Sequence, residues 1–384
     1  MGDNKKMKKV LISGGAGFIG SNLALRLNND GYEVTVLDNL SPQIHGTDPE
    51  TDSELYNSVR DKVKFIKGSV LSKDIMKLAL HDQELVVHLA AETGTGQSMY
   101  NIENYTSTNI QGTSILLDIL ANNKHTVEKL IVASSRSIYG EGKYQCETSN
   151  KYVYPESRDL SKLEQKIFDV TSNECDKLIL CSTDEKSKIH PISVYGITKQ
   201  VQEQLVMTVC KSIGVSATSL RFQNVYGPGQ SLKNPYTGIL SIFSTQIKND
   251  NEVNIFEDGN ESRDFVFIDD VIDSIVLCLE KEEARDEIFN VGTGMPTSVM
   301  EVASELFKNY NKPANYHISG NYRIGDIRHN YADISHIEKK LGFKPKVNFV
   351  DGIKRFAKWV NSQEIEKDNF QKTINELKSR GLYK

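Results

Sequence analysis

Cysteine is scarce in this chain of 384 residues: there are five, Cys146, Cys175, Cys181, Cys210 and Cys278, and no two stand in a CxxC spacing. That pattern argues against a disulfide-built scaffold and points to unpaired thiols in a reducing cytoplasm. Cys146, Cys175 and Cys181 are separated by 28 and then 5 residues, and His190 follows. This matches no zinc-ribbon template, so no metal is expected. No apolar run approaches the ~20 residues of a membrane span, so no membrane partner is expected. In the opening MGDNKKMKKVLISGG no apolar stretch with a small-residue cleavage site precedes the first strand-like run, which argues against a secretory signal. Excess positive charge is missing as well. With 46 Lys and Arg against 51 Asp and Glu, the net charge is −5, and no nucleic-acid partner is expected. A few local arginines would still suffice for a diphosphate. There is no internal repeat.

What is present is ordinary for a soluble globular protein, with 38% hydrophobic and 25% charged residues and length enough for an ample core. KVLISGG, EVTVLDN, VKFIKGSV, ELVVHLAA and EKLIVASS read as strands rich in Val, Ile and Leu. Runs apolar on both faces suit a buried parallel sheet. Helix-like stretches at 18–30, 72–81 and 100–123 lie between them, and this βαβ rhythm predicts a doubly wound α/β domain. Residues 141–190 are polar and short of periodicity and read as an insertion, because the pattern resumes with VYGITKQVQEQLVMTVCKSIG and VSATSLRF. After Phe222, turn-rich loops separate short elements, as in a smaller C-terminal substrate lobe. The charged tail from 364 reads as a solvated surface helix.

Three motifs carry chemistry. GGAGFIG, with Gly14, Gly17 and Gly20, follows a predicted strand and opens a predicted helix. Such glycines let the backbone approach a pyrophosphate seated on the helix N-terminus. Asp38 closes the second strand 18 residues after Gly20, where a carboxylate accepts hydrogen bonds from ribose hydroxyls. It would repel a 2′-phosphate, and Asn39 and Leu40 follow it rather than Arg, so NAD is favoured over NADP. In Tyr195-Gly-Ile-Thr-Lys199, the i,i+4 spacing places an ammonium on the face of a phenol. A nearby cation favours the phenolate, giving a general base near neutral pH. ASSRSIYG puts Ser135 at the end of the fifth strand, where ligands lie in an open α/β sheet.

In this order the motifs resemble the extended short-chain dehydrogenase/reductase family, specifically its nucleotide-sugar epimerases and dehydratases, from about Lys8 to about Val360. The resemblance implies a Rossmann-type domain over 8–222, carrying the insertion 141–190. A substrate-binding lobe with interleaved elements follows over 223–360, and a charged C-terminal helix over 361–384. It implies NAD held by Gly14, Gly17, Phe18, Ile19, Gly20, Asp38, Asn39, Ser69, Val70, Leu89, Ala90, Ala91, Asn109, Tyr195 and Lys199. HLAAETG (88–94) looks like the family's fourth-strand motif, and Asn109 like its structural Asn on the next helix. Gly68-Ser69 departs from the family's usual Gly-Asp pair, which puts the adenine contact in question. The resemblance further implies Ser135, Tyr195 and Lys199 as catalytic residues. Substrate contacts would come from Thr93, Ser135, Arg136, Ser137, Asn224, Arg263, Arg323 and Asp326, with Asn224 and the two later arginines on the nucleotide diphosphate.

The family's 4,6-dehydratases carry an Asp-Glu pair after their Ser or Thr. Arg136-Ser137 stands there instead, which disfavours dehydration. Decarboxylases usually keep an acidic residue nearby, and none is seen. A 4-epimerase needs only the Ser, Tyr, Lys and NAD. LDNLSPQIHG, HLAAETGTGQSMY and FQNVYGPGQSLKNPYTGILSIF look like the branch acting on dTDP-L-rhamnose. The expected partner is a dTDP- or UDP-linked sugar, and by analogy two copies pair through helices near 100–122 and 192–213. Still open are a dehydratase, decarboxylase or 4-keto reductase of the same fold, and a non-catalytic NAD-binding protein.

Overall fold

The computed structural model describes residues 7–173, 175–232, 234, 238–364, 368 and 370–384. Residues 233 and 235–237 of the last long string, and 365–367 and 369 of the tail, lie outside the described residues. Seven parallel strands form the central sheet. Their spatial order is Glu287–Val291, Ser216–Phe222, Lys129–Ser135, Leu85–His88, Lys9–Ser13, Glu33–Asp38, Lys64–Lys67.

The inner strands are buried on both faces, as their continuous apolar runs require, while the edge strand Lys64–Lys67 buries only Ile66. Val10 and Ile12 pack on one side with Leu23, Leu27, Val271 and Ile275, from helices Phe18–Asn29 and Ile268–Glu280. Leu11 packs on the other with Leu116, Leu120, Val206 and Cys210, from helices Gly112–Asn122 and Val194–Ile213. The order reverses at Lys9–Ser13, which has Glu33–Asp38 on one side and Leu85–His88 on the other. That reversal opens a crevice at the strands' C-terminal ends. The helix expected over 100–123 is interrupted, because Thr106–Gln111 forms a π-helical turn between Ile102–Tyr105 and Gly112–Asn122.

The lobe after Phe222 is not cleanly separable. It has its own small sheets, Asn224–Tyr226 beside Ser262–Phe267 and Val253–Ile255 beside Tyr316–Ile318. Yet Ile268–Glu280 and Glu287–Val291 return to the central sheet. The insertion is more ordered than its composition suggests. Lys143–Cys146 pairs antiparallel with Tyr152–Val153 and with Leu178–Cys181.

A disulfide joins Cys146 to Cys175, their Cα atoms 5.8 Å apart. The expectation of unpaired thiols therefore fails for this pair and holds for Cys181, Cys210 and Cys278. Cys146 lies opposite Leu178 in the strand pairing, so folding closes a gap that residue counting along the chain cannot see. The tail is corrected in part. Its helix Phe370–Ser379 is present, but Ile374, Leu377 and Tyr383 are buried against the body. Among the described residues, no helix is long and apolar enough to cross a membrane, and no group of three or more His, Cys, Asp or Glu could hold a metal ion.

One buried ion pair anchors helix Val194–Ile213 to the sheet. Arg221 Nη2 and Nε donate to Glu203 Oε1 and Oε2 at 2.6 and 3.0 Å, with Arg221 2% and Glu203 3% exposed. Ser219 Oγ also donates to Glu203, and Arg221 Nη1 to the Tyr139 phenol. Removing one partner strands a buried charge. Glu203→Ala is expected to cost about 3–5 kcal/mol of stability in a urea titration. A cost of only a few tenths would mean that the pair does not anchor this helix.

Candidate active site

At the sheet's C-terminal edge lies a cavity of about 330 Å³. Gly14, Gly17, Phe18, Ile19, Gly20, Asp38, Asn39, Ser69, Val70, Leu89, Ala90, Ala91, Thr93, Ser135, Tyr195 and Lys199 all line it. Two glycines are demanded by the protein itself. A Cβ on Gly20 would lie 2.2 Å from the Gly14 carbonyl oxygen, and one on Gly14, at φ +71°, would lie 2.7 Å from the Ala90 nitrogen. Gly17 differs, because a Cβ there would meet only the Gly14 oxygen, at 3.3 Å. Its bareness leaves room on the cavity side. Gly17 also N-caps helix Phe18–Asn29 without a side-chain cap, and no acidic residue occupies the first turn. Uncapped amides at the positive end of a helix suit a phosphate.

Asp38, 9% exposed, accepts from Ala16 N at 3.0 Å and Leu40 N at 2.9 Å. A carboxylate offers about four acceptor sites, so capacity remains for hydroxyls. His45, not singled out from sequence, places Nε2 3.8 Å from Asp38 while its Nδ1 meets Ser53 Oγ at 2.7 Å. Ser69 accepts from Leu71 N at 3.1 Å. These features fit a dinucleotide such as NAD.

Asn109 does not line the cavity. It is fully buried, and its amide receives Glu92 N at 2.7 Å and donates to Glu92 O and Thr198 Oγ1. It thus ties the loop after the fourth strand to helix Val194–Ile213. Behind it, His88 meets Ser13 Oγ at 2.6 Å and Thr113 Oγ1 at 3.0 Å. Burial, then the charge of Lys199, pushes His88 down to about 3, so it stays neutral.

Ser135 ends the fifth strand, where its Oγ accepts from Ser137 N at 3.1 Å and donates to Ser137 Oγ at 3.2 Å. Ser137 thus supports Ser135 and lines neither cavity described here. Tyr195 begins the first turn of helix Val194–Ile213, capped by Ser193, and its N–H donates to Ser98 Oγ at 3.0 Å. Burial raises the Tyr195 phenol, while the hydrogen bond with Ser135 and the Arg136 charge lower it. Lys199 Nζ donates to the Ala133 carbonyl at 2.9 Å, and burial pushes it down to about 7. Lys199, the cation that the spacing suggested, lines the same cavity as Tyr195 with its Nζ on the Ala133 carbonyl, and the Arg136 charge acts on the phenol as well.

A second cavity has a volume of about 210 Å³. Arg136, Asn224, Arg263, Arg323 and Asp326 line it, together with Thr95 and Gly96. Arg136 Nε donates to Asn224 Oδ1 at 2.6 Å. Arg263 and Arg323 converge on Asp326, at 3.1 and 2.9 Å, and with other arginines hold its carboxyl far below the usual range. Arg136 Nη1 and Arg323 Nε are nevertheless buried without a hydrogen-bond partner. Burial, then the Arg263 charge, pushes Arg136 down to about 9. Buried donors of this kind favour a ligand rich in acceptor oxygens.

Arg158, in the insertion, was also missed from sequence. It is 5% exposed, forks onto Glu257 with two bonds of 2.8 Å and donates to the Asp326 carbonyl at 3.0 Å.

The sequence matches the NAD dependent epimerase/dehydratase family over residues 10–162 and 171–292. It is 36% identical over 369 residues to a dTDP-L-rhamnose 4-epimerase of Burkholderia thailandensis, covering 94% of this chain and 97% of that one. It is 30% identical over 364 residues to a putative UDP-glucose 4-epimerase of Methanocaldococcus jannaschii, covering 92% and 98%. The fold resembles a crystal structure of UDP-glucuronic acid 4-epimerase from Bacillus cereus in complex with UDP-glucuronic acid and NAD. There the TM-score is 0.74 at 28% identity, over 92% of this chain and 99% of that one.

Gly17 separates crevice from scaffold. Gly17→Ala is expected to change stability by no more than about 1 kcal/mol. It should weaken NAD binding by about tenfold or more, equivalent to ~1.4 kcal/mol. Thermal unfolding and an NAD titration check both, and undiminished affinity would remove the glycine turn from the cofactor site.

Proposed function

Because the chain belongs to the NAD dependent epimerase/dehydratase family, we propose that it inverts carbon 4 of a nucleotide-diphosphate sugar through a 4-keto intermediate. The proposed pair is dTDP-L-rhamnose and its 6-deoxy-L-talose epimer, supported by the 36% identity to an enzyme of that name. The observation that carries the reaction is the set of groups gathered on one buried phenol. Tyr195 and Ser135 line one, the adjoining Arg136 lines the other, and Ser135 and Arg136 both act on the same buried phenol.

Bound NAD supplies a reversible hydride acceptor. The chain's own groups handle protons and position. Tyr195, as phenolate, takes the proton of the sugar hydroxyl and later returns one. Ser135 Oγ shares the hydrogen bond, so the negative charge passes between oxygens without entering bulk water. Lys199, fixed on the Ala133 carbonyl, lines the cofactor cavity on the face of the helix that carries Tyr195. Gly14, Gly17, Gly20, Asp38 and Ser69 are the proposed dinucleotide contacts. Arg136, Asn224, Arg263 and Arg323 are the proposed substrate contacts, with Asp326 and Thr93. The diphosphate serves as the pivot about which the keto sugar turns its other face.

Arg136-Ser137 in place of an acidic pair leaves dehydration without its acid. A sugar-nucleotide reductase of the same fold would consume NADH stoichiometrically, whereas epimerisation leaves the NADH absorbance unchanged over many turnovers. We place the enzyme in the cytoplasm as a homodimer. Ile102 and Ile197, on the two helical stretches expected to pair, are 51% and 47% exposed, which supports that reading.

Incubation with a panel of nucleotide sugars, read by NMR, tests the reaction and the sugar. Tyr195→Phe is expected to lose about 10²–10⁴-fold in turnover with NAD still bound. Near-normal turnover would sink the assignment. Arg136→Gln removes a charge that lowers the phenol, so the acidic limb of the kcat–pH profile should move to higher pH. A limb that stays in place would show that Arg136 does not act on the base.

A further inference from the structure

The second cavity is mixed in character. Its polar lining includes Thr95, Arg136, Asn224, Arg263 and Arg323, with the acids Glu257, Glu261 and Asp326 among them. It also holds a set of apolar and aromatic side chains, Ile239, Ile242, Phe243, Phe256, Phe265 and Phe370, and Arg323 lies over the Phe256 ring at 5.3 Å. A nucleotide sugar runs from sugar through diphosphate to nucleoside. With the sugar at Tyr195 and the diphosphate at the arginines, the aromatic side chains are left for the base.

One of those aromatics does not belong to the lobe. Phe370 opens the C-terminal helix, and its ring lies 6.0 Å from Phe256 at an interplanar angle of 31°. The tail is fastened around it. Tyr383 meets the Phe256 ring edge-on at 5.2 Å, and Arg380 lies over Tyr100 at 4.1 Å. Tyr322 and Lys384 exchange backbone hydrogen bonds of 2.9 and 3.1 Å, and Ile324 N donates to Leu382 O at 3.1 Å. These bonds bracket Arg323, which itself lies over Phe256 at 5.3 Å. Lys384 Nζ reaches Glu164 of the insertion at 2.7 Å. A solvated terminal helix would need none of this.

We infer that the C-terminal tail is part of the substrate site, Phe370 supplying an aromatic face for the nucleobase while segment 382–384 holds the loop that carries Arg323. The inference rests on the nucleotide-sugar reading. It makes the tail a determinant of nucleotide affinity, separate from the hydride and proton chemistry.

Calorimetric titration of the full-length NAD-loaded protein with dTDP, UDP and inorganic pyrophosphate tests it. Phe370→Ala should weaken both nucleoside diphosphates about tenfold, the loss typical of one stacking aromatic. Pyrophosphate binding should be unchanged, and Phe370→Tyr should restore nucleotide affinity. Equal nucleotide affinity in wild type and Phe370→Ala would overturn the role of the tail while leaving the function standing. Equal weakening of pyrophosphate, or no rescue by Tyr, would reduce Phe370 to a structural part and overturn it too. A wild-type protein that binds neither nucleoside diphosphate would overturn both readings.

Discussion

Burial works against the phenolate of Tyr195, and much of the site is arranged to offset that cost. Taking a charge out of water raises a phenol's pKa, and here burial is the largest influence on the group. The offsets are Ser135, which shares a hydrogen bond, and Arg136, which supplies the opposite charge. Both are positioned from elsewhere. Ser135 is fixed by the end of an inner strand and by Ser137 N, Arg136 by Asn224 across the sheet edge. The helix under Tyr195 is clamped by the Glu203–Arg221 pair, by Ser98 and by the Asn109–Thr198 bond. Position matters because charge interaction in a low-dielectric site changes steeply with small displacements.

The same principle, with the sign reversed, explains the second cavity. Arg136, Arg263 and Arg323 face a wall that also holds Asp326, Glu257 and Glu261. Asp326 is shared by two of the arginines, and Glu257 is occupied by Arg158 and Arg328. Glu261 is pushed up to about 7, first by burial and then by the Glu257 charge, so it carries only part of a negative charge at neutral pH. The internal acids therefore fix the arginines in place without satisfying all their donors. A group with several acceptor oxygens gains hydrogen bonds there that the folded chain alone does not make.

Much of this was legible in the sequence, for physical reasons. The first five strands of the central sheet were visible because burial leaves runs of Val, Ile and Leu, whereas the edge strand Glu287–Val291 was not read from the sequence. GGAGFIG was visible because close backbone approach excludes side chains, and Gly20 shows that requirement directly. Pairing between distant segments was not legible. Cys146 and Cys175 meet through an antiparallel register inside a stretch with no periodicity. Arg158 lies in the same stretch, and nothing local distinguishes a buried arginine from a solvated one. The Tyr195–Lys199 spacing placed both residues on one helix face correctly. It could not say that Lys199 would turn to the Ala133 carbonyl, because that depends on where the fifth strand ends. The tail misled for a related reason. Its charged residues outnumber the few apolar ones, yet Ile374 and Leu377, three apart, form a narrow stripe that is enough to seat a short helix.

These less legible parts converge on one loop. Arg158 of the insertion donates to the Asp326 carbonyl, and the chain's last residues pair with Tyr322 and Ile324. Asp326 in turn receives Arg263 and Arg323. The family match covers the glycine turn, Ser135, Tyr195 and Lys199 and ends at residue 292, before this loop and the tail begin. In the proposed function the fold separates two tasks. Proton and hydride chemistry sits on the parallel sheet, whose geometry depends on a deep apolar core. The proposed grip on the nucleotide sits on a loop tied to the inserted segment by Arg158 and to the chain's last residues by backbone hydrogen bonds. Changes in those attachments can alter which nucleotide is held without disturbing the phenol. In the proposed substrate site, the ion pairs and ring contacts around residues 322–326 bear on nucleotide preference apart from the residues on the sheet.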